Sequence, residues 1–201
     1  MKKLIFFFGL LIILFSSCQK ELSIDDGTVI PVDTVAGQAY YQATIDGVDY
    51  EVIVTGNSTN QFISLINGEE EADLISGVIN PLPQGTGLLL VKGIFPDFPN
   101  ATNASLKAFF APGDYSLMSN NLQVLIVWID ENGTEWVSVT EDNQDQTGSK
   151  FTIVSVRDAP DSNGKYYVEV VAKFNCNLYD ADGNKKVLTK GNYKGFFGPI
   201  E

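Results

Sequence analysis

The chain reads as one all-β domain, an antiparallel β-sandwich of immunoglobulin-like or jelly-roll-like order, with a closed β-barrel as the alternative. Three observations predict this. From Tyr40 onward apolar residues recur with period two, the spacing that collects them on one side of a strand. Turn sequences of the Asp/Asn-Gly kind break that alternation at Asp46-Gly47, Asn132-Gly133 and residues 180–184. No segment carries a convincing helical period.

The elements follow in order. Asp46-Gly47 suits a type I′ turn, in which both central residues need positive φ. Counting outward pairs Ile45 with Val48, Ala43 with Tyr50 and Tyr41 with Val52, and puts Gln42, Thr44, Asp49 and Glu51 on the opposite face. Shorter strands are expected at 62–66, 74–79, 88–95, 105–110 and 151–156, with Pro-, Gly- and Asn-rich loops at 80–87 and 96–104. A hairpin turning at Asn132-Gly133 puts Val124, Ile126, Trp128, Val137 and Val139 in the core. It leaves Trp136 with Ser138 and Thr140 on a mixed face. In the clearest strand, Val168, Val170, Ala172, Phe174, Cys176 and Leu178 alternate with Glu169, Val171, Lys173, Asn175 and Asn177, and Tyr167 and Tyr179 bound the polar face. After 180–184 the chain returns through Val187, Leu188, Tyr193, Phe196 and Phe197.

The N-terminus carries an address. Lys2 and Lys3 precede an apolar run over 4–15, the layout of a secretory signal and shorter than the ~20 residues of a membrane-spanning helix. Ser16-Ser17-Cys18 follows where cleavage is expected. This resembles the lipobox of bacterial lipoproteins, with Phe15 where Leu is usual. The resemblance implies cleavage after residue 17 and a diacylglycerol and acyl chain on Cys18, which together anchor stably at ~0.8 kcal/mol per buried CH₂. Cys18-Gln19-Lys20-Glu21 is similar to the openings of Bacteroidota lipoproteins. That implies an outer-membrane protein facing the periplasm or the cell surface. Residues 18–38 read as the lipidated cysteine and a flexible tether, and residues 39–201 as the domain. Within the tether, Asp33-Thr34-Val35 matches the triplet that this group O-glycosylates.

Composition narrows the function. The chain has 13 basic and 25 acidic residues, and losing Lys2 and Lys3 takes its net charge from −12 to −14. Such a field repels nucleic acid and anionic lipid surfaces. There is no histidine, so the commonest general base and transition-metal ligand is missing. With Cys18 acylated, Cys176 has no partner for an intrachain disulfide. It reads as a buried structural cysteine, since nothing nearby would make it nucleophilic.

Three motifs resemble a group of small Bacteroidota lipoproteins of unknown function: Ala43-Thr44-Ile45-Asp46-Gly47, Ala111-Pro112-Gly113-Asp114-Tyr115, and Gly191-Asn192-Tyr193-Lys194-Gly195-Phe196. The likeness covers most of residues 40–198. It implies a β-sandwich and a lipid anchor, and no catalytic residue.

No metal or cofactor is expected. The acidic sequences at 130–133, 161–164 and 180–184 supply oxygen ligands for calcium but are turn sequences first. Those at 69–71 and 141–145 read as solvated loops rather than the facing carboxylates of a glycosidase. Trp136, Tyr167 and Tyr179 are the candidate ligand platform, aromatic rings expected on mixed or polar faces. The function expected is therefore a non-enzymatic binding or accessory module tethered to the membrane through Cys18, with a glycan or an envelope protein as partner. A lipocalin-like carrier of an apolar ligand and a hydrolase are the alternatives.

Overall fold

The computed structural model describes residues 38–54, 60–67, 71–80, 85–117, 124–161 and 163–198. The signal segment 1–17, Cys18 and the tether up to residue 37 lie outside the described residues, as do residues 68–70 of the first acidic run. Among the described residues eleven strands form: β1 (Tyr40–Ile45), β2 (Val48–Ile53), β3 (Asn60–Asn67), β4 (Glu71–Ile79), β5 (Gly87–Pro96), β6 (Gly113–Tyr115), β7 (Leu125–Ile129), β8 (Glu135–Val137), β9 (Lys150–Asp158), β10 (Val168–Tyr179) and β11 (Lys185–Phe197).

All pairings are antiparallel, in the order β2-β1-β11-β10-β8-β7-β5-β4-β3, with β9 also on β10 and β6 on β9. β10 is the hinge of this arrangement. Its first two-thirds pair with β9, and its last residue, Tyr179, pairs with Val137 of β8. The β3-β4-β5-β7-β8 layer thus folds over the β2-β1-β11-β10-β9-β6 layer as a sandwich, and the sheet does not close. The closed-barrel alternative therefore does not hold. The space between the layers holds Tyr41, Trp128, Tyr193, Phe110, Phe151 and Phe197, each at most 2% exposed. Polar contacts cross it as well. Tyr193 and Ser76 share a hydrogen bond of 2.7 Å, Tyr41 bonds Thr86, and the Tyr50 ring meets Trp128 edge-on at 5.1 Å.

The first hairpin has the register that its turn predicts, Ile45 to Val48 through Tyr41 to Val52. β10 places Val168, Val170, Ala172, Phe174, Cys176 and Leu178 in the core as expected. Its partner β11 needs glycine at two positions, one to approach β10 and one to seat the ring of its own Tyr193. A Cβ on Gly191 would lie 2.4 Å from the Phe174 ring, and one on Gly195 would lie 2.2 Å from the Tyr193 hydroxyl.

Two expectations are corrected. The strand expected at 105–110 is the helix α1 (Asn103–Phe109). Thr102 and Ser105 cap each other reciprocally, the Ser105 amide donating to Thr102 Oγ1 at 3.1 Å and the Thr102 amide to Ser105 Oγ at 2.8 Å. Leu106 and Phe110, four residues apart, then fall together into the core.

The second hairpin is shifted by one residue, pairing Trp128 with Trp136 and Ile129 with Glu135. Its connection is the five-residue loop 130–134 rather than a two-residue turn. The Asp130 carboxylate accepts from the amides of Asn132 and Thr134, both at 2.9 Å, while Gly133 takes φ 79°. A one-residue slip exchanges the faces, so Trp136 joins Trp128 inside. Asp161 and Asp180 build the same loop, each accepting two amides two and four residues on. These carboxylates are occupied by backbone, and among the described residues no acidic cluster has the makings of a metal site.

Candidate functional site

The aromatic platform does not form. Trp136 is 8% exposed, Tyr167 1% and Tyr179 5%, so the expectation that they stand open is corrected. Each is covered for a local reason. The Trp136 indole donates to Asp130 Oδ2 at 3.1 Å and the Lys186 ammonium sits 4.5 Å above its ring. Burial pushes the Asp130 carboxyl up, but the bonds from Trp136 and from the Thr134 and Asn132 amides outweigh it and hold it below its ordinary value. The chain at Gly198 passes over Tyr167, close enough for a Cβ there to lie 3.3 Å from the tyrosine ring.

Tyr179 is covered by the loop between β8 and β9. Its hydroxyl donates to the Asp145 carbonyl at 2.9 Å. Beside it, Gln146 stands in for a strand: its side-chain oxygen accepts from the Asn177 amide at 3.1 Å and its nitrogen donates to the Asn177 carbonyl at 2.9 Å. This fills the gap in the ladder between β9 and β8. Glu141, Asp142 and Asp145 are all exposed, and Asp145 is held low by the Thr147 amide.

With both ends of the outer face of β10 covered, its middle is open, and the register there brings distant polar residues into one line. Glu51 pairs with Gln42, Gln42 with Asn192, Asn192 with Lys173, Lys173 with Thr152 and Thr152 with Asp114. This row crosses six strands, and Gln42 to Thr152 spans three strand spacings, ~14 Å. Its acidic ends are engaged. Gln42 donates to Glu51, and Thr152 donates to Asp114 at 2.6 Å. That bond and then the Lys150 ammonium, 3.3 Å away, hold the Asp114 carboxyl below its usual value.

The centre of the row opens into a cleft of about 560 Å³ lined by Gln42, Lys150, Lys173, Asn175, Lys190 and Asn192 among others, with no carboxylate among its lining residues. Among the described residues Lys173 and Lys190 enter no ion pair. Lys190 stands at a bulge in the β10–β11 ladder with φ 52°, a left-handed conformation that costs a side chain ~1–2 kcal/mol. The Asn192 side-chain nitrogen reaches Tyr40 Oη at 3.4 Å, while its oxygen is enclosed and without a partner.

Sequence reasoning saw the parts of this site and missed its assembly. Gln42, Lys173 and Asn175 were placed on polar faces and Asn192 in a motif, but Lys150, Thr152 and Lys190 were not singled out. A signal was present in the charge pattern. Eight of the 13 basic residues fall within residues 150–194, with only five acidic residues there, in a chain of net charge −12.

A second unusual group lies between the layers. Lys92 of β5 is 6% exposed, with its ammonium 4.3 Å from the Phe109 ring centre and 4.4 Å from that of Tyr115. It forms no ion pair among the described residues, and burial pulls it down to about 8. Cys176 is buried as expected, and burial pushes its thiol up to about 12, which leaves it protonated and unreactive.

No protein-family model matches the chain, and no curated protein or solved structure matches it either.

Proposed function

We propose that this protein is a lipoprotein held on the outer membrane through Cys18, whose sandwich is a non-enzymatic binding module with its ligand in the open cleft over β1, β11, β10 and β9. The observation that carries the reading is the row itself. Hydrogen-bonding side chains from strands far apart in sequence are aligned across one face and left uncovered, where both flanking stretches of the same face are sealed. Solvated sheet faces need no such sealed margins.

The partner class that fits is a glycan, an extended polar chain laid along a row ~14 Å or more in length. A flat apolar partner has nothing to cover there, since Val154 is the only strongly exposed large apolar residue lining the cleft. The lipid anchor would hold such a module at the envelope, where glycans are abundant. The test is glycan-array screening of the lipidated protein in detergent beside Asn175→Ala and Lys173→Ala. Binding that both substitutions weaken supports the reading. Binding that both leave unchanged sends the ligand elsewhere on the molecule.

A further inference from the structure

We infer that the cleft is selective for acidic polysaccharide, with carboxylate or sulfate groups lying on Lys150, Lys173 and Lys190 and sugar hydroxyls on the amide side chains beside them. This rests on the cleft being the binding site and names its ligand class.

The argument begins with charge. Within an acidic chain, the cleft gathers three cations and no carboxylate. The other lysines of the C-terminal part of the sheet are engaged, Lys185 with Asp145, Lys186 with Asp46 and Lys194 with Glu169. Lys173 and Lys190 are not, and the one ion pair at the rim, Lys150 with Asp114, is exposed on both sides by more than 60% and therefore weak enough for a ligand to displace. Unpaired like charges on one small surface repel each other. Keeping two unpaired ammoniums beside a third that is held only in a weak exposed pair is a cost that an anionic ligand offsets.

Geometry separates an extended polyanion from a single ion. Lys150 pairs with Asn175 and Lys173 with Thr152, so the two ammoniums stand on adjacent strands as diagonal neighbours, ~7–8 Å apart at the backbone. With Lys190 on β11 the cations are spread over three neighbouring strands, and a chain with repeated charges meets them in turn. The amides then discriminate in favour of a sugar. Gln42 and Asn175 line the cleft with amide groups that both donate and accept, so they pair with sugar hydroxyls, whereas a bare phosphate or sulfate only accepts.

Two other polyanions fit less well. Single-stranded nucleic acid binds through stacking on exposed rings, and the exposed large hydrophobic residues among those described are Val48, Ile53, Ile94, Val154 and Val187, none of them aromatic. An anionic membrane is a plane and would press on the carboxylates at both ends of the row, Glu51 and Asp114, within a domain of strongly negative charge. A single polymer strand runs inside the row and avoids them. The burial of Trp136, Tyr167 and Tyr179 also removes stacking as the means of holding a neutral sugar, which leaves ionic and amide contacts.

The test uses the full lipidated chain in a neutral detergent. Binding is measured to polygalacturonate, alginate, chondroitin sulfate and heparin, to fully methyl-esterified polygalacturonate and dextran as neutral counterparts, and to vesicles containing phosphatidylglycerol. The expected result is binding to at least one acidic polysaccharide, at least tenfold weaker for Lys173→Ala/Lys190→Ala, weakened by raised salt, and absent for the neutral forms. The array and the cleft variants read the two claims separately. Neutral polysaccharide bound as tightly as acidic, and lost with Asn175→Ala, would overturn the charge selectivity and keep the cleft as the site. Acidic binding that is indifferent to the double lysine variant would overturn both. Binding to vesicles alone, or to no acidic polysaccharide, would overturn the inference.

Discussion

Replacing Lys92 by Met should stabilise the protein at neutral pH, by an amount that shrinks as pH rises. The ammonium is pulled from its ordinary 10.5 to about 8, which corresponds to ~3 kcal/mol of disfavour for the charged form in the fold. The Phe109 and Tyr115 rings offset part of this, since a cation over an aromatic face gains ~0.5–2 kcal/mol. Met keeps the length, carries no charge and packs well against rings. The net expectation at pH 7 is a gain of ~1–3 kcal/mol. The sign with pH follows from proton counting. Between about 8 and 10.5 the unfolded lysine holds its proton more than the folded one does, so folding with Lys92 becomes more favourable as pH rises through that window. The Cys176 thiol works the other way above its ordinary 9.0, because the fold keeps it protonated up to about 12. The difference between wild type and Lys92→Met, rather than either curve alone, therefore isolates the lysine. Urea denaturation of both at pH 7, 8, 9 and 10 measures it. A gap that is largest at pH 7 and nearly closed at pH 10 is expected. A variant less stable than wild type by ~1 kcal/mol or more at every pH would show that the ring contacts outweigh the burial cost, and would refute the reasoning.

Four further outcomes follow from named contacts. Trp136→Ala should destabilise by ~3–5 kcal/mol in chemical denaturation, as a core tryptophan rather than a surface platform does, and an effect below ~1 kcal/mol would contradict its burial. Gly191→Ala should cost ~1–3 kcal/mol or more by overpacking, because its Cβ would lie 2.4 Å from the Phe174 ring and 2.7 Å from the Phe174 carbonyl oxygen; thermal melts read this. Lys190→Gly relieves a left-handed side chain, so melting should be unchanged or slightly raised while acidic-polysaccharide binding weakens, a split that a purely structural lysine would not give. Cys18→Ala should move the protein out of the membrane fraction or block its maturation, and normal maturation with continued detergent partitioning would count against the anchor.

How much the sequence showed depended on the range of the interaction that decided each feature. The register of residues 40–53 and the core face of 168–178 were legible because turn chemistry and alternation agree locally, and both stand as read. The hairpin at 130–134 was misread by one residue because Asn132-Gly133 suits a two-residue turn. The side chain that selects the longer loop, Asp130, acts through hydrogen bonds that composition does not reveal. That slip alone accounts for the expected exposure of Trp136. The helix α1 was hidden by its length and by a cap built from Thr102 and Ser105 rather than the usual acidic partner. The site was the least legible part. Polarity on each strand was visible, but bringing Gln42 beside Asn192 joins residues 150 positions apart, and the bulge of β11 at Lys190 decides which side chains meet on both sides of it.

The central claim is that the ligand lies in the cleft over β9–β11 and β1, and blocking that cleft without removing a charge tests it most directly. Val154 lines the cleft and is 47% exposed, whereas Ile94, 45% exposed, lies on β5 in the other layer. Each is changed to cysteine and coupled to a bulky maleimide, with the enclosed Cys176 thiol expected to stay unlabelled. Binding of the acidic polysaccharide selected by the panel is then measured on both adducts. The account predicts loss of binding for the Val154→Cys adduct and wild-type binding for the Ile94→Cys adduct. Unchanged binding with the adduct in place at residue 154 would contradict it.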